Sequence, residues 1–342
     1  MTSSPKTQVV SARGNKGQGP MAYKKICIVG PGAIGGMMAV MLKRAGAEVS
    51  TLARPAKASA IAEKGLTLQL TDQTVTARMP ASADPSALGV QDLVVVTLKS
   101  NALLAMAPSI KALCGPQTPV VFVMNGLPWW FFEGFGGPLA GRSLKAIDPD
   151  GVLARSFPSD RVVWAVINCS VIERADGVIE HTRNQHLIFG RPDDEPCGLA
   201  EVAAVFQPAG YTTVISPKIR NDIWAKLVVN VSGNPVSALT GALLGQMYDD
   251  SLVREYASGI AEEARALGAY LGLAPGENPI HHMKNSPVRT SMLQDLERGR
   301  PLELGTIAAA IVEIGEAAGV PMPLTRAGLG LTRLRAAAAT FA

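Results

Sequence analysis

Long apolar runs, paired cysteines and early acidic residues are all missing from this chain, and each absence excludes something. No stretch approaches the ~20 consecutive apolar residues of a membrane-spanning helix. The longest candidates, Val120–Met124 and Leu127–Phe132, are separated by Asn125-Gly126, so no membrane role is expected. The four cysteines (Cys27, Cys114, Cys169 and Cys197) lie far apart with no CxxC spacing, which argues against a disulfide framework or a zinc site. They read as small buried hydrophobes in a reducing, cytoplasmic compartment. No Asp or Glu precedes Glu48, while seven Lys and Arg residues do. The net charge of +4 therefore resides in the N-terminal segment, and the remainder is slightly acidic. A basic nucleic-acid-binding surface is not what raises the charge, and no nucleic-acid partner is expected.

Apolar residues make up 47% of the 342 positions and charged residues only 18%, enough for a large buried core rather than a disordered polyelectrolyte. The length corresponds to about two domains of ~150 residues. Residues 1–22 are rich in Ser, Thr, Gly, Gln, Pro and Lys. They lack the apolar stretch of a secretory signal, and their single arginine and three glycines argue against a transit helix. A flexible extension is expected there.

From Lys24 onward short apolar runs alternate with helical stretches. Strands are expected over Lys25–Gly30, Glu48–Arg54, Asp92–Leu98 and Pro119–Met124, helices over Gly36–Ala47, Ala56–Lys64 and Ala102–Leu113, and a hairpin over Leu66–Met79. Strands without polar alternation are buried on both faces, which points to a doubly wound, mostly parallel Rossmann-type sheet. Leu127–Asp160, with its Pro128-Trp129-Trp130-Phe131-Phe132 run, reads as an insertion. Val162–Ile172 and Gly177–Gly190 read as further strands. After Pro217 the composition turns to Ala/Leu/Glu-rich helices over Ile219–Asn234, Asp249–Leu271, Thr290–Arg298 and Glu303–Ala318. The expected division is a dinucleotide-binding domain over 23–216 and a helical domain over 217–342.

The strongest motif is Gly30-Pro31-Gly32-Ala33-Ile34-Gly35, a GxGxxG placed after a strand and before a helix. Gly30 permits a tight turn, Gly32 lets backbone approach a pyrophosphate, and Gly35 allows close helix–strand packing. The phosphate would then rest on the N–H groups of the helix start, Ala33 and Ile34 included. At the end of the second strand, where an NAD site carries an acid for the ribose 2′-OH, this chain has Thr51-Leu52-Ala53-Arg54. A guanidinium in place of a carboxylate suits a 2′-phosphate, so NADPH is the expected cofactor; an ordinary solvated arginine is the alternative reading of Arg54.

Several segments together resemble the ketopantoate reductase (2-dehydropantoate 2-reductase) family, of the 6-phosphogluconate-dehydrogenase-like fold group. They are GPGAIGG at Gly30–Gly36, Arg54, TLKS at Thr97–Ser100, Asn125-Gly126, DIWAKLVVNVSGNPVSALTG at Asp222–Gly241, SMLQD at Ser291–Asp295 and GRPLE at Gly299–Glu303. The resemblance covers about Lys24 to Ala318 and implies NADPH-dependent reduction of the C2 ketone of a small 2-oxo acid, ketopantoate above all. It also implies a possible homodimer.

Lys226, Asn230 and Asn234 stand at i, i+4 and i+8 of an expected helix, drifting only about 40° per step and so sharing one face. Ile223, Leu227, Val228 and Val231 would pack on the other side. The stripe fits either a polar cleft or a solvated face, and Pro235 would end or bend the helix after Asn234. Hydride delivery to a carbonyl leaves negative charge on oxygen, which must be stabilised and protonated. The resemblance makes Lys226 the general acid. Glu303 would hydrogen-bond the substrate and hold the charge state of that lysine, with Ser291, Asn230 and Asn234 binding substrate carboxylate and hydroxyl groups. Lys99 and Asn125, just past the ends of two strands, are implied to be close to both cofactor and substrate.

Two departures stand out. Where family members often continue GRPTEIDAING, this chain has Leu302, Gly305 and Ala308, so the shell supporting Glu303 reads as apolar. The aromatic run after Gly126 reads as a lid, a dimer surface or core packing. A bulkier 2-oxo acid, or an inactive NADPH sensor, are the alternatives these departures raise. His281-His282 lacks further ligands at metal spacing, so no metal is expected. His181 and His186 fall on strands and need no acid–base role. No GxSxG elbow supports a hydrolase.

Overall fold

The computed structural model describes residues 9–10 and 22–339. Of the extension expected over residues 1–22, only Val9, Val10 and Ala22 are among them, and the rest lies outside the described residues. The strands are β1 (Val9–Val10), β2 (Lys25–Val29), β3 (Glu48–Leu52), β4 (Leu66–Gln69), β5 (Thr74–Ala77), β6 (Ala81–Ser82), β7 (Leu93–Val96), β8 (Val120–Phe122), β9 (Val162–Glu173), β10 (Ile179–Gly190) and β11 (Thr212–Ile215). They form one sheet in the order β1-β11-β10-β9-β8-β7-β2-β3-β6, with the β4–β5 hairpin joined to β10.

The run from β6 through β3, β2, β7 and β8 to β9 is parallel throughout. Ile26–Val29 and Leu93–Val96 are wholly buried. That is why these strands read as unbroken apolar runs, since both faces of a parallel sheet are covered. β9 and β10 pair antiparallel over most of their length, which makes the sheet mixed at that side.

The helices are α1 (Ala33–Arg44), α2 (Pro55–Lys64), α3 (Ser100–Ala112), α4 (Val152–Ser156), α5 (Leu199–Phe206), α6 (Ile219–Thr240), α7 (Leu244–Asp249), α8 (Ser251–Tyr270), α9 (Ser291–Glu297), α10 (Ala310–Ala318) and α11 (Pro323–Ala339). Two compact units divide the chain. The first holds residues 1–98, 105–124 and 155–219, and the second holds 99–104, 125–154 and 220–342. All the strands fall in the first unit, and the second is helical. Leu127–Asp160, read from sequence as an insertion in the dinucleotide-binding domain, is divided: it clusters with the helical unit as far as Ala154 and with the first unit from Arg155.

Local signals explain several helix ends. The Asp250 carboxylate accepts from the Leu252 and Val253 N–H groups, both at 3.0 Å, and so starts α8, the helix expected over Asp249–Leu271, apart from the shorter α7 before it. Thr290 caps α9 through Leu293 N–H at 3.2 Å. The segment expected as one helix over Glu303–Ala318 opens instead with a π-helical turn, Gly305–Ala309, before α10.

Helix α6 departs from expectation more sharply. It runs through Pro235 to Thr240 instead of ending after Asn234. A mid-helix proline costs about 3 kcal/mol. Here it is offset by packing, because Val231, Ser232, Val236, Ser237 and Ala238 are all at most 2% exposed. Ser232 also donates to the Val228 carbonyl at 2.8 Å.

The aromatic run resolves as core. Trp129, Trp130, Phe131 and Phe132 are buried, and Phe131 packs against Trp224 of α6 with ring centroids 5.7 Å apart. Arg220 binds this block to the start of α6. Its Nε donates to the Phe131 carbonyl at 2.8 Å, a terminal nitrogen donates to the Glu133 carbonyl, and the guanidinium lies 5.2 Å from the Trp130 ring centroid. With these rings at most 6% exposed, neither lid nor dimer surface describes them.

Candidate active site

In the first unit the candidate cofactor residues gather where β2 meets α1. Gly30 takes φ +85°, and a Cβ there would lie 2.6 Å from the Leu98 side chain. Its N–H donates to the Leu52 carbonyl at 3.0 Å, joining the turn to the end of β3. A Cβ on Gly35 would stand 2.2 Å from Thr97 Oγ1 and 2.5 Å from the Gly30 carbonyl oxygen. The Thr97 hydroxyl itself donates to that oxygen at 2.8 Å. Gly30 and Gly35 are thus required by internal packing.

Gly32 is different, since nothing stands within 4 Å of where its Cβ would be. The first intrahelical donor of α1 is Gly36 N–H, bonded to the Gly32 carbonyl at 2.7 Å. The N–H groups of Ala33, Ile34 and Gly35 therefore have no acceptor inside the helix. No side chain caps this end, and its first turn holds no acid. Open space, three donors and the positive end of a helix dipole form a cradle that fits a dinucleotide pyrophosphate. Arg54 follows β3 at the start of α2 and is exposed. Among the described residues its guanidinium forms no ion pair.

In the second unit the polar residues gather around Lys99. Its ammonium lies 2.8 Å from Asp295 Oδ2 and 3.4 Å from Glu303 Oε2. Both carboxylate side chains are nearly buried, at 6% and 5% exposure, whereas the Lys99 side chain is 42% exposed. Burial alone would lower the Lys99 pKa, but the Glu303 and Asp295 carboxylates together raise it above the ordinary lysine value. The other Glu303 oxygen accepts from the Ser100 N–H at 2.9 Å, and the Ser100 hydroxyl meets Thr306 Oγ1 at 3.1 Å. The shell around Glu303, expected to be apolar, is polar after all. Its partners come from residues 99–100, distant in sequence, rather than from Leu302, Gly305 or Ala308.

Asn230 and Asn234 are buried on α6, at 8% and 7% exposure, and Lys226 one turn earlier is half-buried. Ile223, Leu227, Val228 and Val231 are buried as anticipated. Asn230 Nδ2 lies 3.5 Å from Asn125 Oδ1, a long contact that brings the two amides side by side. Ser291 occupies the first position of α9 and is exposed. The structure thus pairs Lys99 with Glu303 and Asn125 with Asn230, and it sets Lys226, Asn230 and Asn234 on one helix. Asp295, Ser100 and Thr306 had no role in the sequence reading. Only Asp295 left a signal, as an acid beside Met292 and Leu296 on the apolar stripe of a short helix.

The geometry can be set beside known proteins. The family model for ketopantoate reductase PanE/ApbA matches residues 26–130, and the model for its C-terminal part matches residues 218–336. The chain belongs to the ketopantoate reductase family. The first match contains the glycine turn, Arg54, Lys99 and Asn125; the second contains Lys226, Asn230, Asn234, Ser291, Asp295 and Glu303. A 2-dehydropantoate 2-reductase of Mesorhizobium japonicum is 38% identical over 315 residues, 90% of this chain and 97% of that protein. Among solved structures, a Ralstonia solanacearum MolK2 protein with a provisional ketopantoate reductase assignment is 40% identical. It superposes with a TM-score of 0.87 over 93% of this chain and 99% of its own. A PanE/ApbA family ketopantoate reductase of Ralstonia eutropha JMP134 is 27% identical with a TM-score of 0.78, covering 92% and 99%. The fold is the 6-phosphogluconate-dehydrogenase-like combination of a parallel-dominated α/β sheet and a helical C-terminal part.

Proposed function

We propose that this protein reduces the C2 ketone of ketopantoate to the hydroxyl of pantoate with NADPH. The observation that carries the reading is the family membership at 38% identity across nearly the whole length of a 2-dehydropantoate 2-reductase. The cradle at Gly32 and the guanidinium of Arg54 support the cofactor half. In this reading the backbone N–H groups of Ala33, Ile34 and Gly35 hold the pyrophosphate, and Arg54 pairs with the 2′-phosphate. NADPH, when bound, supplies the hydride.

The remaining steps belong to the chain's own side chains. Lys226 holds a proton on Nζ and gives it to the ketone oxygen as negative charge develops there. Asn230 and Asn234, fixed on a buried helix, orient the substrate through amide hydrogen bonds, and Asn125 supports Asn230. Glu303 accepts from a substrate hydroxyl, and Ser291 binds the substrate from the first turn of α9. We further infer a cytoplasmic setting, consistent with four free cysteines, and a homodimer, to be checked by light scattering on the eluted protein.

The deciding experiment follows NADPH absorbance with a panel of 2-oxo acids. Ketopantoate should be turned over most efficiently; turnover of a bulkier acid alone, or tight NADPH binding without turnover, would overturn the reading. Lys226→Ala should lose about 10²–10⁴-fold in kcat while still binding NADPH. Near-normal turnover by that variant would remove Lys226 from the role of acid.

A further inference from the structure

The Lys99 cluster contains one more carboxylate than a simple ion pair needs. Glu303 already has the Ser100 N–H on one oxygen and the Lys99 ammonium near the other. The closer partner of that ammonium is nevertheless Asp295, at 2.8 Å against 3.4 Å. Asp295 is a buried acid on a helix hydrogen-bonded at both ends. Thr290 caps its start, and the Arg298 and Arg300 N–H groups both bond to the Asp295 carbonyl, at 3.2 and 2.8 Å. Asp295 has the shorter and more buried side chain, so the longer, 42%-exposed lysine has the greater freedom to move toward it.

We propose that Asp295 is a positioning residue of the ketopantoate site. By holding the Lys99 ammonium at the shorter distance, it keeps that ammonium's bond to Glu303 Oε2 long, at 3.4 Å, and so leaves that oxygen able to accept from the substrate. The inference rests on the reading of the site given above. In this proposal Asp295 acts through Lys99, its side-chain ion-pair partner. With a neutral amide at position 295 the ammonium would shift to Glu303, the one carboxylate left beside it. Substrate would then have to displace a full charge-assisted bond.

The test combines kinetics with a chemical probe that needs no turnover. Wild-type activity with ketopantoate first settles the underlying reading. Asp295→Asn should then raise KM for ketopantoate about tenfold, the scale of one charged hydrogen bond, with kcat and the KM for NADPH changed less than about threefold. Asp295→Glu should restore most of the affinity. In a Lys99→Met background the Asp295→Asn change should add less than about twofold, because the residue through which it acts is gone. Acetylation of the Lys99 amine by acetic anhydride, followed by peptide mass spectrometry, should be faster in Asp295→Asn than in wild type, because one of the two carboxylates that raise the lysine's pKa is gone. An unchanged KM with unchanged Lys99 labelling, or additive losses in the Lys99→Met background, would overturn the proposal. If Asp295→Asn does not fold, Glu303→Gln serves instead. Loss of the more distant partner should change Lys99 labelling less than about twofold, and a tenfold rise would overturn the assignment of Asp295 as the residue that holds the ammonium.

Discussion

Gly126 presses directly onto Thr306. A Cβ on Gly126 would lie 2.4 Å from Thr306 Oγ1, 2.5 Å from its Cβ and 2.7 Å from its carbonyl oxygen. That oxygen accepts from the Leu127 N–H at 2.9 Å. The contact joins the loop carrying Asn125 to the π-helical turn that follows Glu303, so two candidate site residues are referenced to each other through a glycine.

Gly126→Ala should therefore destabilise the protein by roughly 2–4 kcal/mol. It combines the strain of an L-residue at φ +83° with an overlap that no rotamer relieves. Urea unfolding at fixed m-value measures the loss. Thr306→Gly in the same chain should recover only part of it, because the backbone oxygen of residue 306 stays in the way.

The glycines of the nucleotide turn should separate in their effects. Gly35→Ala drives a methyl into Thr97 Oγ1 and the Gly30 carbonyl, so it should cost both stability and NADPH affinity. Gly32→Ala meets empty space at φ −80° and should fold with a melting temperature near wild type. It should still lose tenfold or more in NADPH affinity, because the methyl occupies the volume into which the pyrophosphate fits. Fluorescence titration with NADPH alongside thermal melting distinguishes the two, and equal melting losses would contradict the argument.

Cys27 gives a pH prediction. Burial in the centre of the sheet pushes its thiol up to about 12, against an ordinary value of 9.0, with hydrogen bonds from Ser50 and the Leu52 backbone only partly opposing. The folded-state value lies above the unfolded one. Its contribution is therefore fully present below about pH 9 and is lost as pH rises toward 12, because the unfolded chain releases the proton first. Stability should fall over this window by up to about 1.4 kcal/mol per pH unit for this one group. Cys27→Ala should flatten that slope in urea titrations between pH 8 and 10.5.

Much of this architecture was legible in the sequence, for definite reasons. β2 and β7 could be read because strands buried on both faces leave no polar alternation, and the glycine turn because each glycine answers a separate steric demand. Pro235 misled because helix propensity is local, while the burial that offsets it comes from residues far away in the chain. The surroundings of Glu303 were misjudged for the same reason, since its partners are Lys99 and Ser100, some two hundred positions upstream. An apolar reading of Leu302, Gly305 and Ala308 could not anticipate them. The three alternatives for Trp129–Phe132 could be decided only once Arg220 and Trp224 were seen against them.

Helix α6 begins at the Arg220 brace, passes Trp224 wedged against the aromatic block, and carries Lys226, Asn230 and Asn234 along the next turns. Gly268 leaves no slack on the far side of that tryptophan, since a Cβ there would stand 2.3 Å from Trp224 Nε1. The three polar groups thus ride on one stiff shaft whose seat is several residues away from them. Remodelling the aromatic seat would slide or roll all three in concert. Under the proposed roles of Lys226, Asn230 and Asn234, substrate preference would then be open to change from the packing of Trp130, Phe131 and Trp224.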